Sequence, residues 1–330
     1  MPETPGLKAA LKRGALVAAA NWPLVVVQFV AESVLKLLLA VPIVGGAFLV
    51  ALLLHTGLGT LLRGDLRDMV TAIMAALMAR PAALAAFLAS GLVVLIGGSM
   101  LTFIVKGGTV SLLADAERVA GPIEKPPLRL AALKRAAVVG IDPFLAACAR
   151  LWRRYVRIGF GLLIVYALTG TLYLALVFGG YALAENSAIL LGWTALAAVA
   201  SSVLIVWITI VNFFYLMTQM VVAVEDVSVR VGVRLAFRFV WGHLREVGAV
   251  FGVVLVVALL ATAASILATA GLGLIAFVPL VGLAVLPLQF AAWLVRGIVF
   301  EYVAQAALGA YLSHYRWYHR LSYNSDIRSA

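Results

Sequence analysis

Apolar residues in this chain fall into long unbroken runs, not into the alternating or three-and-four-spaced stripes of a water-soluble domain. A helix crosses the hydrocarbon core of a bilayer with about 20 consecutive apolar residues. On that length the runs predict six membrane-spanning helices, at about 22–54, 82–105, 158–183, 188–222, 247–270 and 274–298. The predicted fold class is all-α: a polytopic helical membrane protein in which residues 1–330 form a single integral membrane domain. The first run is too long for one straight crossing and contains Pro42, Gly45 and Gly46. It reads either as one tilted, kinked span or as an interfacial helix followed by a span. Pro279 and Pro287 interrupt the sixth run, and apolar character continues to Leu312, which leaves its end open.

Between the runs the pattern changes to a helical period. In 144–157, Phe144, Leu145, Cys148, Leu151, Trp152 and Tyr155 share one face, and Arg150, Arg153, Arg154 and Arg157 take the rest. From 226 to 238, Asp226, Arg230, Arg234 and Arg238 stand at successive four-residue steps. Val227, Val229, Val231 and Val233 alternate there as in a strand, but a lone strand at a membrane surface has no partner. The longer four-residue stripe therefore decides for helix. Both segments are expected to lie at the cytoplasmic leaflet as basic amphipathic helices. Their seven arginines, Arg150, Arg153, Arg154, Arg157, Arg230, Arg234 and Arg238, are candidate lipid-headgroup contacts.

A short word recurs along the chain. Ala9-Ala10-Leu11-Lys12-Arg13 returns verbatim as Ala131-Ala132-Leu133-Lys134-Arg135, and loosely as Arg234-Leu235-Ala236-Phe237-Arg238. Each copy precedes an odd-numbered run, and each is followed by an aromatic or proline site: Asn21-Trp22-Pro23, Asp142-Pro143-Phe144 and Trp241-Gly242-His243. The expected architecture is three helical hairpins, each introduced by a basic amphipathic helix.

Composition removes the soluble alternatives. With 65% hydrophobic and 12% charged residues, the chain has too little polar surface to face water on all sides. The net charge of +11 would point to nucleic acid in a soluble protein. Here the basic residues lie mostly in the gaps between runs, so nucleic acid is not expected as a partner. The gap 106–157 holds ten Lys or Arg and the gap 223–246 holds four, while the turns near Glu185–Ser187 and Gly271–Gly273 hold none. The positive-inside rule then predicts N-in and C-in. The gap 55–81, with Arg63, Arg67 and Arg80 only partly offset by Asp65 and Asp68, runs against that topology. The start, Lys8, Lys12 and Arg13 before Gly14–Ala20, has the form of a signal segment, but its apolar run continues through Trp22, so an uncleaved anchor is expected.

Few residues carry chemistry. The single Cys148 excludes an intramolecular disulfide, and the four histidines are scattered. Glu32 and Lys36, at i and i+4 in the first run, form a candidate intramembrane polar pair. They read either as a local ion pair at the interface or as a buried relay or substrate contact. Arg296 and Glu301 either pair across helices or sit at the cytoplasmic interface with Arg296 snorkelling. Asn212, Gln219 and Gln289 suit interhelical hydrogen bonds. Gly107-Gly108 is expected to close the second span, with Thr109 and Ser111 capping the next helix. The stretch His314–His319 reads as an aromatic interfacial belt. No motif of a hydrolase, metalloenzyme or phosphate loop occurs, so no catalytic, cofactor or metal residue is assigned.

The segment Val221-Val222-Ala223-Val224-Glu225-Asp226, with Ala236-Phe237-Arg238 and Trp241-Gly242-His243-Leu244, resembles a recurrent bacterial pattern. It is similar to the membrane domain found N-terminal to some glycerophosphoryl diester phosphodiesterases and to related stand-alone six-span proteins of unknown function. Gly107-Gly108 and the stretch Ala310-Tyr311-Leu312 to Arg316 fit the same pattern. No segment of this chain corresponds to the phosphodiesterase barrel, so no catalytic residue carries over. The resemblance implies a helical module of the bacterial inner membrane that works on or near lipids. The expected function is a non-catalytic scaffold or lipid-interacting module whose partners are anionic lipid headgroups and either another protein or a second copy. The alternative is a transporter or permease subunit for a small or lipid-like substrate.

Overall fold

The apolar runs become helices longer than a bilayer is thick. The computed structural model describes residues 6–54, 81–127, 130–183, 187–276 and 281–329. Among these, nine helices follow one another: α1 (Leu7–Ala20), α2 (Trp22–Leu54), α3 (Pro81–Val119), α4 (Leu130–Ala136), α5 (Ile141–Leu183), α6 (Ser187–Glu225), α7 (Val229–Gly242), α8 (Leu244–Ala276) and α9 (Val281–Ser329). No strand occurs among the described residues. Six helices, α2, α3, α5, α6, α8 and α9, are long and apolar enough to cross a membrane. The chain is an all-helical, multi-pass membrane protein by this architecture.

At 1.5 Å per residue the 39 residues of α3 extend about 58 Å, against about 30 Å of hydrocarbon. Burial explains the surplus. Five of the six long helices turn a run of large apolar side chains outward: Leu88 to Leu101 on α3, Ile164 to Phe178 on α5, Ile189 to Ile210 on α6, Val253 to Leu274 on α8 and Leu288 to Val299 on α9. The other end of each enters a shared core that includes Leu113, Leu151, Tyr155, Met217, Val222, Val250, Leu308 and Tyr311. The molecule is thus an apolar belt joined to a packed head. Helices α3, α6 and α9 touch one another at the centre, α2 leans on α3 and α9, and α5 leans on α3 and α6. The short helices close the head, α1 against α9 and α7 against α6.

Several boundaries depart from the sequence expectation, all in the head. The second span does not close at Gly107-Gly108: α3 continues through Thr109 and Ser111 to Val119. The two glycines serve close packing against α5, since a Cβ on Gly108 would lie 2.5 Å from Cys148 Sγ and one on Gly107 would lie 3.2 Å from the Tyr155 ring. The amphipathic segment 144–157 and the span 158–183 are one helix, because nothing between Arg157 and Ile158 interrupts backbone hydrogen bonding. Gly271–Gly273 is no turn but lies within α8. Residue 274, expected to open the sixth span, belongs to α8, and the sixth span lies in α9, described from Val281, which runs through Pro287 and His314–His319 to Ser329 as one helix. The first run, Trp22–Leu54, is a single helix with Pro42 inside it, separated from α1 at Asn21 alone. The gap residues 55–80, including Arg63, Arg67 and Arg80, and Pro279 lie outside the described residues.

The recurrence has a structural counterpart in two places. Helices α1 and α7 each have 14 residues, each is followed by one non-helical residue, and each leads into a long apolar helix. Their buried positions share one spacing: Ala10, Gly14, Val17 and Ala18 in α1, and Gly232, Ala236, Phe239 and Val240 in α7. The joints match as well. The Asn21 N–H is shared between the Val17 and Ala18 carbonyls, and the His243 N–H between those of Phe239 and Val240. This register places Gly14 against Ala236, most of a turn away from the one that the five-residue word implies.

Asn21 does more than end a helix. Its Nδ2 donates to the carbonyls of Val17 (2.9 Å) and Ala136 (2.8 Å), and its Oδ1 accepts from the Val138 N–H (3.0 Å). The side chain is fully buried, so these bonds fasten the α1–α2 joint to the end of α4. Asn21→Ala strands a buried carbonyl and a buried-side N–H, at about 1–3 kcal/mol each. The expected result is a clearly lowered unfolding midpoint in a detergent titration; an unchanged midpoint would remove Asn21 from the framework.

Candidate functional site

Where the belt meets the head, polar side chains from four helices converge. Three of the helices contribute them at four-residue steps, which places each set on one face: Gln28, Glu32 and Lys36 on α2, Tyr215 and Gln219 on α6, Glu301 and Gln305 on α9. Helix α3 adds Lys106. Gln28 Nε2 donates to Glu32 Oε1 at 3.1 Å, and Lys36 Nζ stands 4.0 Å from Glu32 Oε2. The Glu301 carboxyl lies near that of Glu32, with the Lys106 ammonium in reach of both charges. Lys106 Nζ also lies 6.0 Å from the centre of the Tyr215 ring. Below Tyr215, the Tyr155 hydroxyl donates to the Gln219 carbonyl at 2.8 Å. Gln28 Oε1 and both amide atoms of Gln305 are buried without a hydrogen-bond partner among the described residues.

The sequence-predicted pair Glu32–Lys36 therefore exists, but as the rim of a larger cluster. Arg296 and Glu301 do not pair. Glu301 turns to Glu32, and the Arg296 guanidinium lies over the Phe300 ring, 5.8 Å from its centre. Lys106, Gln28 and Gln305 were not singled out from sequence. The repeated four-residue step in α2 and α9 was the available signal. Asn212 accepts from the Tyr166 hydroxyl at 2.6 Å, an interhelical bond of the expected kind.

The basic residues divide into two groups. Arg150 Nη2 donates to Ser111 Oγ at 2.9 Å, and Arg154 pairs with Asp226, so both are engaged within the head. Asp226 is not on the arginine stripe of α7 as expected. It precedes that helix in a left-handed conformation (φ 53°) and faces α5. Arg153, Arg157, Arg230, Arg234 and Arg238 are exposed. On α7 the exposed side is itself divided, with Val233, Phe237 and Trp241 on one flank and Arg230, Arg234 and Arg238 on the other. The Phe237 ring stacks on Trp241 at 5.4 Å and on Phe214 of α6 at 5.9 Å, which continues the aromatic flank onto a spanning helix.

A third cluster fastens the head. Arg13 of α1 meets Glu117 of α3 (Nε to Oε1, 2.9 Å) and Glu124 (Nη1 to Oε2, 2.9 Å), and Arg316 of α9 meets the other Glu117 oxygen. Beside it lies a cleft of about 510 Å³ lined by Asp115, Arg118, Arg150, Glu225 and Arg316, where His319 Nε2 stands 3.2 Å from Glu225 Oε1. Among the described residues no group of three His, Cys, Asp or Glu side chains is placed to hold a metal ion.

Fold and site define a helical multi-pass membrane protein with a polar cluster at the junction of belt and head. Comparison with known proteins finds no matching family model, no matching curated protein and no matching solved structure.

Proposed function

We propose that the chain is a non-catalytic, lipid-interacting module of the bacterial inner membrane, oriented N-in and C-in. One observation carries the reading: α7 has three distinct sides. Gly232, Ala236, Phe239 and Val240 face the protein, Val233, Phe237 and Trp241 form an outward apolar flank, and Arg230, Arg234 and Arg238 form the basic one. A basic amphipathic helix of this kind rests at the headgroup level, with aromatic side chains toward the acyl chains and arginines toward phosphate. The height fits. Helix α7 is seated on α6 at Val222, beyond the last exposed apolar residue of the belt on that helix, Ile210. Orientation follows from the same groups, because Arg153, Arg157 and the α7 arginines all belong to the head and the positive-inside rule puts it in the cytoplasm. The matched units α1–α2 and α7–α8 support the view of repeated hairpins, each led by a short helix. The likeness to membrane domains preceding glycerophosphoryl diester phosphodiesterases points the same way.

Each basic residue near an anionic surface contributes about 1 kcal/mol, so Arg230→Gln/Arg234→Gln/Arg238→Gln should weaken anionic-lipid association by roughly 100-fold at low salt. Native mass spectrometry of the purified chain with phosphatidylglycerol reads this directly. Unchanged lipid retention by the triple variant would sink the proposal.

A second reading, a transporter or permease subunit, is favoured by the cluster of Glu32, Lys106 and Glu301, with Gln28 Oε1 and both Gln305 amide atoms buried without a hydrogen-bond partner among the described residues. Ionisable groups within spanning helices mark ion or substrate pathways more often than they serve stability. On this reading Glu32→Gln abolishes solute flux in proteoliposomes; a flux that survives the substitution counts against it.

A further inference from the structure

Between α8 and α9, within the apolar belt, runs a groove of about 590 Å³. One wall is made of small residues, Ala261, Ala264 and Ala268, and the other carries Trp293, Arg296 and Phe300. Its volume falls in the ordinary range of ligand sites, about 300–1,000 Å³. The belt supplies the second observation. Arg296 is exposed between the exposed apolar residues Val295 and Val299, and no carboxylate pairs with it among the described residues. A cation placed among apolar side chains at membrane depth is costly and calls for a counter-charge. Glu301 is the nearest acidic residue along α9, five positions on and so on a different side of the helix, toward Glu32 of α2. Phe300 holds the guanidinium from the head side, one turn further along α9, so the charge is drawn toward the head end of the groove. Arginine at such a place offers two parallel N–H donors, the geometry that fits a phosphodiester.

We infer that this groove binds one anionic glycerophospholipid of the head-side leaflet, with its phosphate on Arg296 and an acyl chain along the alanine wall. The occupant is set by charge and surroundings together: a wall of small side chains, the alanines with Ser265 and Thr269 among them, open to the hydrocarbon and facing a single arginine with no carboxylate partner among the described residues. The inference deepens the lipid-interacting reading, in that it names a bound lipid and its class. It rests on residues distinct from the α7 stripe.

The test uses the full chain purified in mild detergent and titrated with phosphatidylglycerol or phosphatidylcholine, with native mass spectrometry counting bound lipids. One phosphatidylglycerol per chain should resist washing. Arg296→Gln should lower its occupancy by about tenfold, the scale of one charge-assisted contact. Arg296→Lys should retain part of it, and Ala264→Phe, which fills the groove without touching the charge, should also expel it. Equal retention in Arg296→Gln and the parent chain overturns the site. So does equal loss of both lipids, which would mean the arginine does not read charge. A concentration-dependent dimer that Ala264→Phe disrupts would give the groove to a second copy instead, and also overturns it. The two lipid proposals separate cleanly. If the α7 triple variant sheds its lipid while Arg296→Gln changes nothing, the groove fails and the surface reading stands; the reverse pattern retains the groove and removes the surface reading.

Discussion

Gly14→Val should leave no monodisperse protein at temperatures where the parent chain is intact, because it wedges α1 off α9. At this crossing the two backbones are in direct contact. A Cβ on Gly14 would lie 2.2 Å from the Ala306 carbonyl oxygen and 2.6 Å from the Ala310 nitrogen, and a Cβ on Gly309 would lie 2.8 Å from Gly14 Cα. Neither neighbour is a side chain that can rotate aside, so the helices must part. Overfilling a packed site costs about 1–3 kcal/mol, and a backbone-to-backbone crossing belongs at or above the top of that range. Parting α1 from α9 also uncovers Val17, Leu308 and Tyr311, which are buried in the same core. Gly14→Ala should already lower the midpoint of thermal unfolding, and Gly14→Val should lower it further. Gly248→Ala in α8, where nothing lies within 4 Å, is the control and should be neutral or slightly stabilising. Equal midpoints for Gly14→Val and the control would show that α1 is not seated as described.

The crossing also marks where reading the sequence stops being enough. Hydropathy locates the belt well, since the first run opens with α2 at Trp22, and 188–222 lies within α6. It fails at the head, where helices continue after the apolar run is over. Gly107-Gly108 reads as the close of a span, with Thr109 and Ser111 capping the next helix, yet all four lie inside α3, where the glycines seat it on α5. Hydropathy marks where side chains stop being apolar. The backbone hydrogen-bond ladder stops only where a breaker or a joint interrupts it, as at Asn21 and His243. The helical stripe of 144–157 was legible, while its fusion with the span was not, because a change of composition at Ile158 is not a change of backbone conformation.

The polar cluster was half legible for a related reason. Glu32 and Lys36 are neighbours on one helix, so the four-residue rule finds them. Glu301 and Lys106 reach the same place from helices far apart in sequence, and no periodicity relates them. For Arg296 and Glu301, five residues apart, the sequence leaves open a pair across helices or a place at the interface with Arg296 snorkelling. A helix places residues five apart on different sides, and the structure sends the two apart accordingly.

The same long-range blindness hides Glu117, whose replacement should have the second large effect. Its carboxylate is almost wholly buried, with 6% of the side chain exposed, and it lies between two arginines from opposite ends of the chain. Arg13 approaches with Nε at 2.9 Å and donates from Nη2 to the Glu117 carbonyl at 3.0 Å, while Arg316 binds the second carboxylate oxygen and the Ala114 carbonyl. Glu117→Gln keeps the shape but removes the charge, and its amide nitrogen would face a guanidinium that can only donate. Breaking a buried ion pair from one side costs about 3–5 kcal/mol, because the remaining charge stays desolvated. The arginines keep some access to water and Arg13 retains Glu124, so about 2–3 kcal/mol is expected here. Buried pairs are weakly screened, so the loss should persist at high salt. Removing the stranded charge as well should recover part of it: Glu117→Gln/Arg316→Gln is expected to be more stable than the sum of the two single variants, with a coupling of at least about 1 kcal/mol in a double-mutant cycle. Strict additivity, or an effect that vanishes in salt, would reduce Glu117 to a surface contact and leave α1 on α9 held by the Gly14 crossing, the shared core and the hydrogen bond from the Tyr302 hydroxyl to the Ala15 carbonyl.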